Sequence, residues 1–263
     1  MSIGLGVIGL GFIGSQLIQN LGKFHDKYRL QAIFDIDKEK VSKIAKLYPD
    51  VRIMSDITDF DDCDVVIEAA IQQVVVNVFD KIVDLKKIFI PMSIGAFITD
   101  QALYQKYISL EKPTKQLIKL PSGAIGGFDA INSISLIGIQ TSKLVTNKPL
   151  KVFEEHRYVL EKNIKLSGTE KTLIFQGTAK EAARIFPKSI NVGARLALAT
   201  LGPEKTEVKI YANPKIDKNI HEIEISSEVG FYRFSFQNNP SPTNPKTSWL
   251  AALSAIELLE QIE

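Results

Sequence analysis

Short apolar runs alternate with amphipathic segments along the first hundred positions of the chain. Short apolar runs such as IGLGVI (3–8) and CDVVIEAA (63–70) are typical of strands buried in a parallel sheet. Segments between them, such as QVVVNVFDKIVDL (73–85), carry apolar residues at helical spacing. The pattern predicts strands at 3–8, 28–35, 51–54, 63–70 and 87–97, and helices at 15–24, 38–49 and 73–85. Strands that alternate with helices in this way predict a parallel sheet.

The pattern changes near residue 120, where strand-like segments begin to dominate. It predicts strands at 135–145, 171–177, 207–214 and 219–226, and helices at 179–187, 190–202 and 247–263. The fold class is therefore α/β, with a parallel-sheet domain followed by a smaller α+β domain for substrate and dimerisation. We expect domains at 1–120 and 121–238, with a C-terminal helix in 239–263 that packs back on the first. An open face of the second sheet is available to another subunit, which predicts a homodimer.

The composition is that of an ordinary globular protein. Of 263 residues, 45% are hydrophobic and 24% charged, and 32 basic and 30 acidic side chains give a net charge of +2. Charges so balanced and dispersed argue against a nucleic-acid-binding surface. No run reaches the roughly 18 apolar residues of a membrane span. The glycine-rich start is unlike a signal peptide, and one cysteine, Cys63, allows no internal disulfide, so we expect a cytoplasmic protein.

The segment GLGFIG, directly after the first predicted strand, has the spacing of a dinucleotide-binding turn. Its first glycine permits the tight turn, its second lets the backbone approach a pyrophosphate, and its third lets the next helix pack on the strand. The helix start also favours phosphate through its N–H groups and dipole. The motif indicates a Rossmann-type domain, whereas the alternative is a glycine turn without a phosphate role. The predicted cofactor contacts here are Gly9, Gly11, Phe12, Ile13 and Gly14.

Asp35 ends the second predicted strand, about 20 residues after the last glycine of the turn. A carboxylate there accepts hydrogen bonds from the adenosine ribose and repels a 2′-phosphate, which favours NAD. Lys38 nearby leaves NADP open as the cofactor. Ala69 and Ala70 are also expected to contact the cofactor, because ligands bind at the carboxyl ends of strands in such sheets.

One of the three histidines, His221, lies within a predicted strand. Because side chains alternate between the faces of a strand, Asn219 and His221 share a face with the isoleucines that follow. The pattern alone fits a buried core histidine as well as a catalytic one. His25 and His156 lie in charged segments, where solvated side chains are expected.

Further motifs extend over nearly the whole chain. They are GLGFIG with Asp35, IEAA (67–70), SIGA (93–96), PSGAIGGFDAI (121–131), FPKSINV (186–192), NIH (219–221) and NPSPTNPKTS (239–248). Together they resemble the L-aspartate dehydrogenase family. The glycine turn is unspecific, but PSGAIGG combined with N-x-H and the NPKTS segment is specific to this resemblance.

The resemblance implies NAD(P)-dependent oxidative deamination of L-aspartate to iminoaspartate or oxaloacetate plus ammonia, with a product that can feed NAD biosynthesis. It implies that His221 is the active-site histidine and that Ala124 and Asn191 contact the cofactor. A group that titrates near neutral pH suits this reaction, because a proton must leave the substrate amine or the attacking water. Asn219, on the same face, can orient the ring or the substrate.

The two carboxylates of aspartate need hydrogen-bond donors. The second glycine-rich turn offers small residues and backbone N–H groups, although it also fits a simple interdomain elbow. The predicted substrate contacts are Ser122, Gly123 and Lys143, with Lys148 and Arg195 as further cations that the sequence does not separate. No cysteine pair and no H-E-x-x-H motif is present, so no metal site is expected.

Two other functions stay open at this level. A related two-domain dehydrogenase, such as homoserine dehydrogenase, shares the layout, whereas dihydrodipicolinate reductase is disfavoured because its paired-histidine motif is absent. A non-catalytic NAD-sensing module needs the glycine turn but has no use for the N-x-H and PSGAIGG motifs.

Overall fold

A computed structural model describes residues 2–24, 27–239, 241 and 248–262. The chain divides into two compact units. The first comprises Met1–Pro121 together with Ala251–Glu263, and the second comprises Ser122–Leu250. Each unit contains one five-stranded sheet.

The first unit is a parallel sheet with helices between its strands, as the alternating pattern predicts. Its strands are β1 (Ile3–Ile8), β2 (Tyr28–Phe34), β3 (Arg52–Ile53), β4 (Val65–Glu68) and β5 (Ile88–Pro91). Their order in the sheet is β3-β2-β1-β4-β5, with every pair parallel. The strand order reverses between β1 and β4, and ligands bind at such a switch point in open α/β sheets.

Helices connect the strands of the first unit and follow its last strand. They are α1 (Phe12–Asn20), α2 (Lys38–Leu47), α3 (Gln72–Asp84), α4 (Ala96–Thr99), α5 (Gln101–Ser109) and α6 (Lys112–Leu117). Asp37 caps α2 by accepting from the N–H groups of Glu39 and Lys40. Asp100 likewise accepts from Leu103 at the start of α5.

The C-terminal helix completes the core of the first unit. It is the last helix of the described chain, α11 (Trp249–Gln261). Its buried residues Ala255, Ile256 and Leu259 belong to the same apolar cluster as β1. Tyr28 also donates its hydroxyl to the Leu259 carbonyl at 2.6 Å.

The second unit is built on a mixed sheet. Its strands are β6 (Ile139–Pro149), β7 (Thr172–Thr178), β8 (Glu207–Asn213), β9 (Asn219–Ser227) and β10 (Gly230–Asn238), and its helices are α7 (Phe128–Ser135), α8 (Arg157–Glu161), α9 (Ala179–Ile185) and α10 (Asn191–Ala199). The order is β10-β9-β6-β8-β7. The central β6 runs parallel to β8 and antiparallel to β9. This confirms a Rossmann-type domain followed by an α+β domain.

Strands β6 and β10 of the second unit differ from the sequence pattern. The strand predicted at 135–145 lies at Ile139–Pro149, because α7 extends to Ser135 and Gly138 turns the chain with φ +114°. The polar residues at the end of this strand are typical of a loop, but they stay extended because they pair with β8 and β9. Strand β10 was not predicted, although its segment GFYRFSFQN alternates apolar and polar residues.

In the described part of the chain, no helix is long and apolar enough to cross a membrane. Across those same residues, no group of three or more His, Cys, Asp or Glu side chains is placed to hold a metal ion.

Candidate active site

The glycine turn after β1 has the geometry that a pyrophosphate requires. Gly9 has φ +97°, and a Cβ there would stand 2.6 Å from the Ala69 carbonyl oxygen. A Cβ on Gly14 would stand 1.9 Å from the Gly9 carbonyl oxygen, so α1 packs closely on the turn. At Gly11, by contrast, no described atom outside the glycine and its two chain neighbours lies within 4 Å of the Cβ position. The middle glycine therefore leaves open the space that a phosphate needs, and the residues fit a bound dinucleotide.

Asp35 holds the glycine turn from the end of β2. Its Oδ2 accepts from the Leu10 N–H at 2.6 Å, and its Oδ1 accepts from the Asp37 N–H at 2.8 Å. Each carboxylate oxygen has a second lone pair, so the group can still accept from a ribose hydroxyl. An adjoining cleft of about 570 Å³ is lined by Asp35, Lys38 and Lys46 among others, a size suited to part of a ligand.

The loop after β4 forms the other wall of the switch point. Ala69 donates to the Ile8 carbonyl at 2.8 Å, which continues the pairing of β4 with β1. Ala70 donates to the carboxylate of Glu68, also at 2.8 Å. Glu68 is a fully buried acid that the sequence analysis did not single out. The only local signal for it is a charged residue at the end of an apolar run.

His221 lies on β9, which pairs with the central strand β6 of the second sheet. It pairs with Thr146 of β6 on one side and Phe236 of β10 on the other. Its Nδ1 and the Thr146 hydroxyl form a hydrogen bond of 3.0 Å. The side chain is 6% exposed, and this burial, with a smaller contribution from the charge of Lys148, lowers the pKa of His221 to about 3. The imidazole is therefore neutral before substrate binds.

Lys148 is a cation on the same face of the sheet as His221. It follows Thr146 by two positions on β6, so their side chains point the same way. Its Nζ donates to the Ser189 hydroxyl at 2.9 Å, just before α10 begins with Asn191. Burial lowers the pKa of Lys148 to about 8. Strand β6 thus connects His221, through Thr146 and Lys148, to the loop that precedes α10.

The turn at 122–127 is fixed beside the same face. Asn238 pairs with Asn219 across β10 and β9, and its amide donates to the Ala124 carbonyl at 2.7 Å. Gly127, at φ +75°, starts α7 directly against the Phe234 ring, where a Cβ would stand 2.8 Å from ring carbons. Gly123 also has a positive φ, of +68°, and no described atom lies within 4 Å of its Cβ position. These contacts bring Ala124 to the end of the row that holds Asn219 and His221.

Comparisons with known proteins agree with this layout. A family model described as "Aspartate dehydrogenase, C-terminal" matches residues 129–262, and one described as "Homoserine dehydrogenase, NAD binding domain" matches residues 9–121. The L-aspartate dehydrogenase of Methanococcoides burtonii is 36% identical over 98% of this chain and 96% of the relative. That of Nitrosopumilus maritimus is 34% identical over 98% and 95%. The chain belongs to the L-aspartate dehydrogenase family.

Solved structures resemble this fold over nearly the full length of the chain. The aspartate dehydrogenase of Thermotoga maritima has a TM-score of 0.77 and 28% sequence identity, over 100% of this chain and 97% of that one. A scyllo-inositol dehydrogenase of Lactobacillus casei with bound NAD(H) has a TM-score of 0.52 at 14% identity, which is a likeness of fold alone.

In this aspartate dehydrogenase family member, Lys143 does not lie beside His221. It occupies the opposite face of β6, where its ammonium pairs with Glu224 at 3.0 Å. Glu224 also pairs with Arg233 at 2.8 Å. The alternation of β6 therefore argues against Lys143 as a substrate contact and favours Lys148, which the sequence alone does not separate from Lys143.

Arg195 and His156 have environments that the sequence did not indicate. The Arg195 guanidinium lies 3.6 Å from the centre of the Phe128 ring, a stacking contact that accounts for a cation on α10. His156, expected in solvent, packs with its ring centre 5.1 Å from that of Phe186. Burial and the charge of Lys148 lower the pKa of His156. His25 and most of the NPSPTNPKTS motif lie outside the described residues.

Proposed function

We propose that this chain catalyses the NAD(P)-dependent oxidative deamination of L-aspartate. Its relatives named L-aspartate dehydrogenase support the reaction class. The observation that carries the proposal is the row formed by Asn219, His221 and Lys148 on one face of the second sheet, next to the turn that contains Ala124. This row combines a proton acceptor, a hydrogen-bonding amide and a cation, which are the groups that an amino dicarboxylic acid needs.

Lys148 is the proposed partner of a substrate carboxylate, together with backbone groups of Ser122 and Gly123. It replaces Lys143, whose charge is paired with Glu224 on the other face. Burial favours the neutral amine of Lys148, and a carboxylate brought next to it favours the ammonium. With a pKa of about 8 the amine is mostly charged at neutral pH, and binding of a substrate carboxylate stabilises that charge further.

His221 is the proposed proton acceptor, and Asn219 is proposed to orient it or the substrate. In the tautomer with the proton on Nδ1, that proton is donated to Thr146 and the lone pair lies on Nε2. A pKa of about 3 makes this nitrogen a weak base, but two substrate carboxylates nearby stabilise the imidazolium and raise that pKa. The histidine then accepts a proton from the substrate amine, or from the water that adds to the C=N bond.

The cofactor, when bound, supplies the acceptor for the hydride that leaves the substrate Cα. The proposed contacts are Gly9, Gly11, Phe12, Ile13, Gly14, Asp35, Ala69, Ala70, Ala124 and Asn191. The Asp35 carboxylate favours NAD, while Lys38 and Lys46 in the adjoining cleft allow the phosphate of NADP. We therefore propose that NAD is preferred and NADP is accepted.

The finer course of the reaction is also a proposal. Loss of the hydride and an amine proton forms the C=N bond of iminoaspartate, and addition of water breaks the C–N bond to give oxaloacetate and ammonia. Released iminoaspartate can feed NAD biosynthesis. Trapping with cyanoborohydride tests release, since reduction of the free imine gives both enantiomers and D-aspartate then accumulates. A cytoplasmic homodimer is proposed as well, and light scattering of the purified protein measures the subunit number.

The test of the function is NAD(P)H formation from L-aspartate, followed by absorbance. We expect turnover with L-aspartate, higher kcat/KM with NAD than with NADP, and the reverse reaction with oxaloacetate plus ammonia. L-Homoserine serves as the comparison substrate, because a homoserine dehydrogenase shares the layout of the first unit. Turnover of homoserine and none of aspartate would contradict the proposal, and NADH binding without turnover of either would favour a sensing module.

A further inference from the structure

The fully buried carboxylate of Glu68 has no role in the reaction described above. It ends β4, next to the switch point of the parallel sheet, and is 0% exposed. Burying a carboxylate is costly unless hydrogen bonds compensate, and apolar residues of similar volume often give greater stability. A glutamate at this position therefore calls for a reason beyond packing.

The hydrogen bonds of Glu68 join the loops that follow two neighbouring strands. Its Oε1 accepts from the Ala70 N–H at 2.8 Å and from the Ser93 hydroxyl at 2.9 Å. Its Oε2 accepts from the Ser93 N–H at 2.9 Å. The side chain thus connects the loop after β4 with the loop after β5.

The first of these loops is also the wall of the glycine turn. A Cβ on Gly9 would stand 2.6 Å from the Ala69 carbonyl oxygen and 2.9 Å from the Ala70 nitrogen. Any shift of Ala70 away from Glu68 therefore changes the space beside the turn. Hydrogen bonds connect Ser93 through Glu68 to Ala70, and Ala70 lies close beside Gly9.

We propose that Glu68 is a positioning residue of the dinucleotide site, which holds the loops after β4 and β5 in the arrangement that receives the cofactor. The proposal rests on the proposed function in so far as a pyridine nucleotide binds at this turn. Burial raises the pKa of Glu68 to about 7, while the N–H and hydroxyl donors favour the carboxylate. The donors therefore keep an acceptor available for Ala70 despite the burial.

The experiment compares NADH binding by purified wild type and three variants at pH 8, through NADH fluorescence. Glu68→Gln places an amide donor opposite a backbone donor, and its Kd for NADH should rise about tenfold or more. Ser93→Ala keeps the backbone bond and should raise Kd about threefold. Ile67→Val is the matched control from the same buried strand, and it should lower the melting temperature without changing Kd.

The outcomes separate positioning from general stability. A wild-type Kd in Glu68→Gln, or an equal rise in Kd in Ile67→Val, would overturn the proposal. If Glu68→Gln does not fold, Ser93→Ala decides, and an unchanged Kd in that variant overturns it. In steady state, Glu68→Gln should raise KM for NAD and leave KM for aspartate near the wild-type value. Because NADH binding needs no aspartate, a wild type that binds NADH but does not oxidise aspartate contradicts the proposed function alone.

Discussion

Glu68 in the first unit and His221 in the second are both buried titratable side chains, and burial shifts their pKa values in opposite directions. Glu68 in the first unit has its pKa raised to about 7, whereas His221 in the second has its pKa lowered to about 3. Burial disfavours the charged form of both groups, which is the protonated form for histidine and the deprotonated form for glutamate. Each is bonded to one hydroxyl, from Ser93 and Thr146. The comparison sets a group proposed to position its surroundings beside a group proposed to accept a proton in the reaction.

The largest expected effect is the loss of turnover on replacing His221. His221→Asn keeps a polar group beside Thr146 but cannot accept a proton, and kcat should fall about 10²- to 10⁴-fold, the usual range for general base catalysis. NADH binding should stay at the wild-type Kd, because the glycine turn belongs to the other unit. Steady-state kinetics with L-aspartate and fluorescence titration with NADH measure the two quantities. A variant that keeps its turnover would remove His221 from the mechanism.

The next effect is on stability as pH changes. Glu68 binds a proton more tightly in the folded state, so its contribution to the free energy of unfolding is present below pH 4.5 and is lost as pH rises to about 7. His221 binds a proton less tightly in the folded state, so its contribution is present above pH 6.5 and is lost as pH falls towards 3. Between pH 4.5 and 6.5 the two slopes oppose each other, at about 1.4 kcal/mol per pH unit each.

Single variants should expose these slopes one at a time. Between pH 4.5 and 6.5, Glu68→Gln should become more stable as pH rises, because His221 then titrates without an opposing Glu68, and the lowered pKa of His156 acts in the same direction. His221→Asn should become less stable over the same range, because the slope from Glu68 is then no longer offset by His221. Urea unfolding at several pH values measures both free energies, with the wild type as the reference. Slopes of the same sign in both variants would mean that burial does not govern the two groups.

The sequence was informative where the signal is local. The glycine turn depends on the spacing of three nearby residues, and the shared face of Asn219 and His221 follows from strand alternation, so both were predictable. The hydrogen bonds between Glu68 and Ser93 join residues 25 positions apart, and the hydrophobic periodicity of the sequence does not predict such a contact. The sequence does not predict which face of the sheet Lys148 lies on, because the predicted strand ends at 145. The polar segment that follows is typical of a loop, and only its pairing with β8 and β9 shows that it is a strand.

The two lysines of β6 provide a matched pair. Lys148→Met keeps the apolar stem and removes the charge, and KM for L-aspartate should rise about 10- to 100-fold, as for loss of a hydrogen bond to a charged group. Lys143→Met removes a partly exposed ion pair on the other face, so KM should stay unchanged and stability should fall by about 1 kcal/mol or less. Initial rates over a range of aspartate concentrations give both values. If KM rises more in Lys143→Met than in Lys148→Met, Lys143 and not Lys148 contacts the substrate.

The smallest effect concerns the hydroxyl that is bonded to His221. Thr146→Val retains the shape and removes the partner of Nδ1, which frees the ring to adopt the wrong tautomer, and kcat should fall about tenfold. Thr146→Ser keeps the hydroxyl and should retain most of the activity. Ser93→Ala, the corresponding loss in the first unit, is expected to act on the Kd for NADH instead. The pair of hydroxyl deletions thus tests the comparison itself: if Thr146→Val weakens NADH binding while kcat is unchanged, His221 acts by holding its surroundings as Glu68 does.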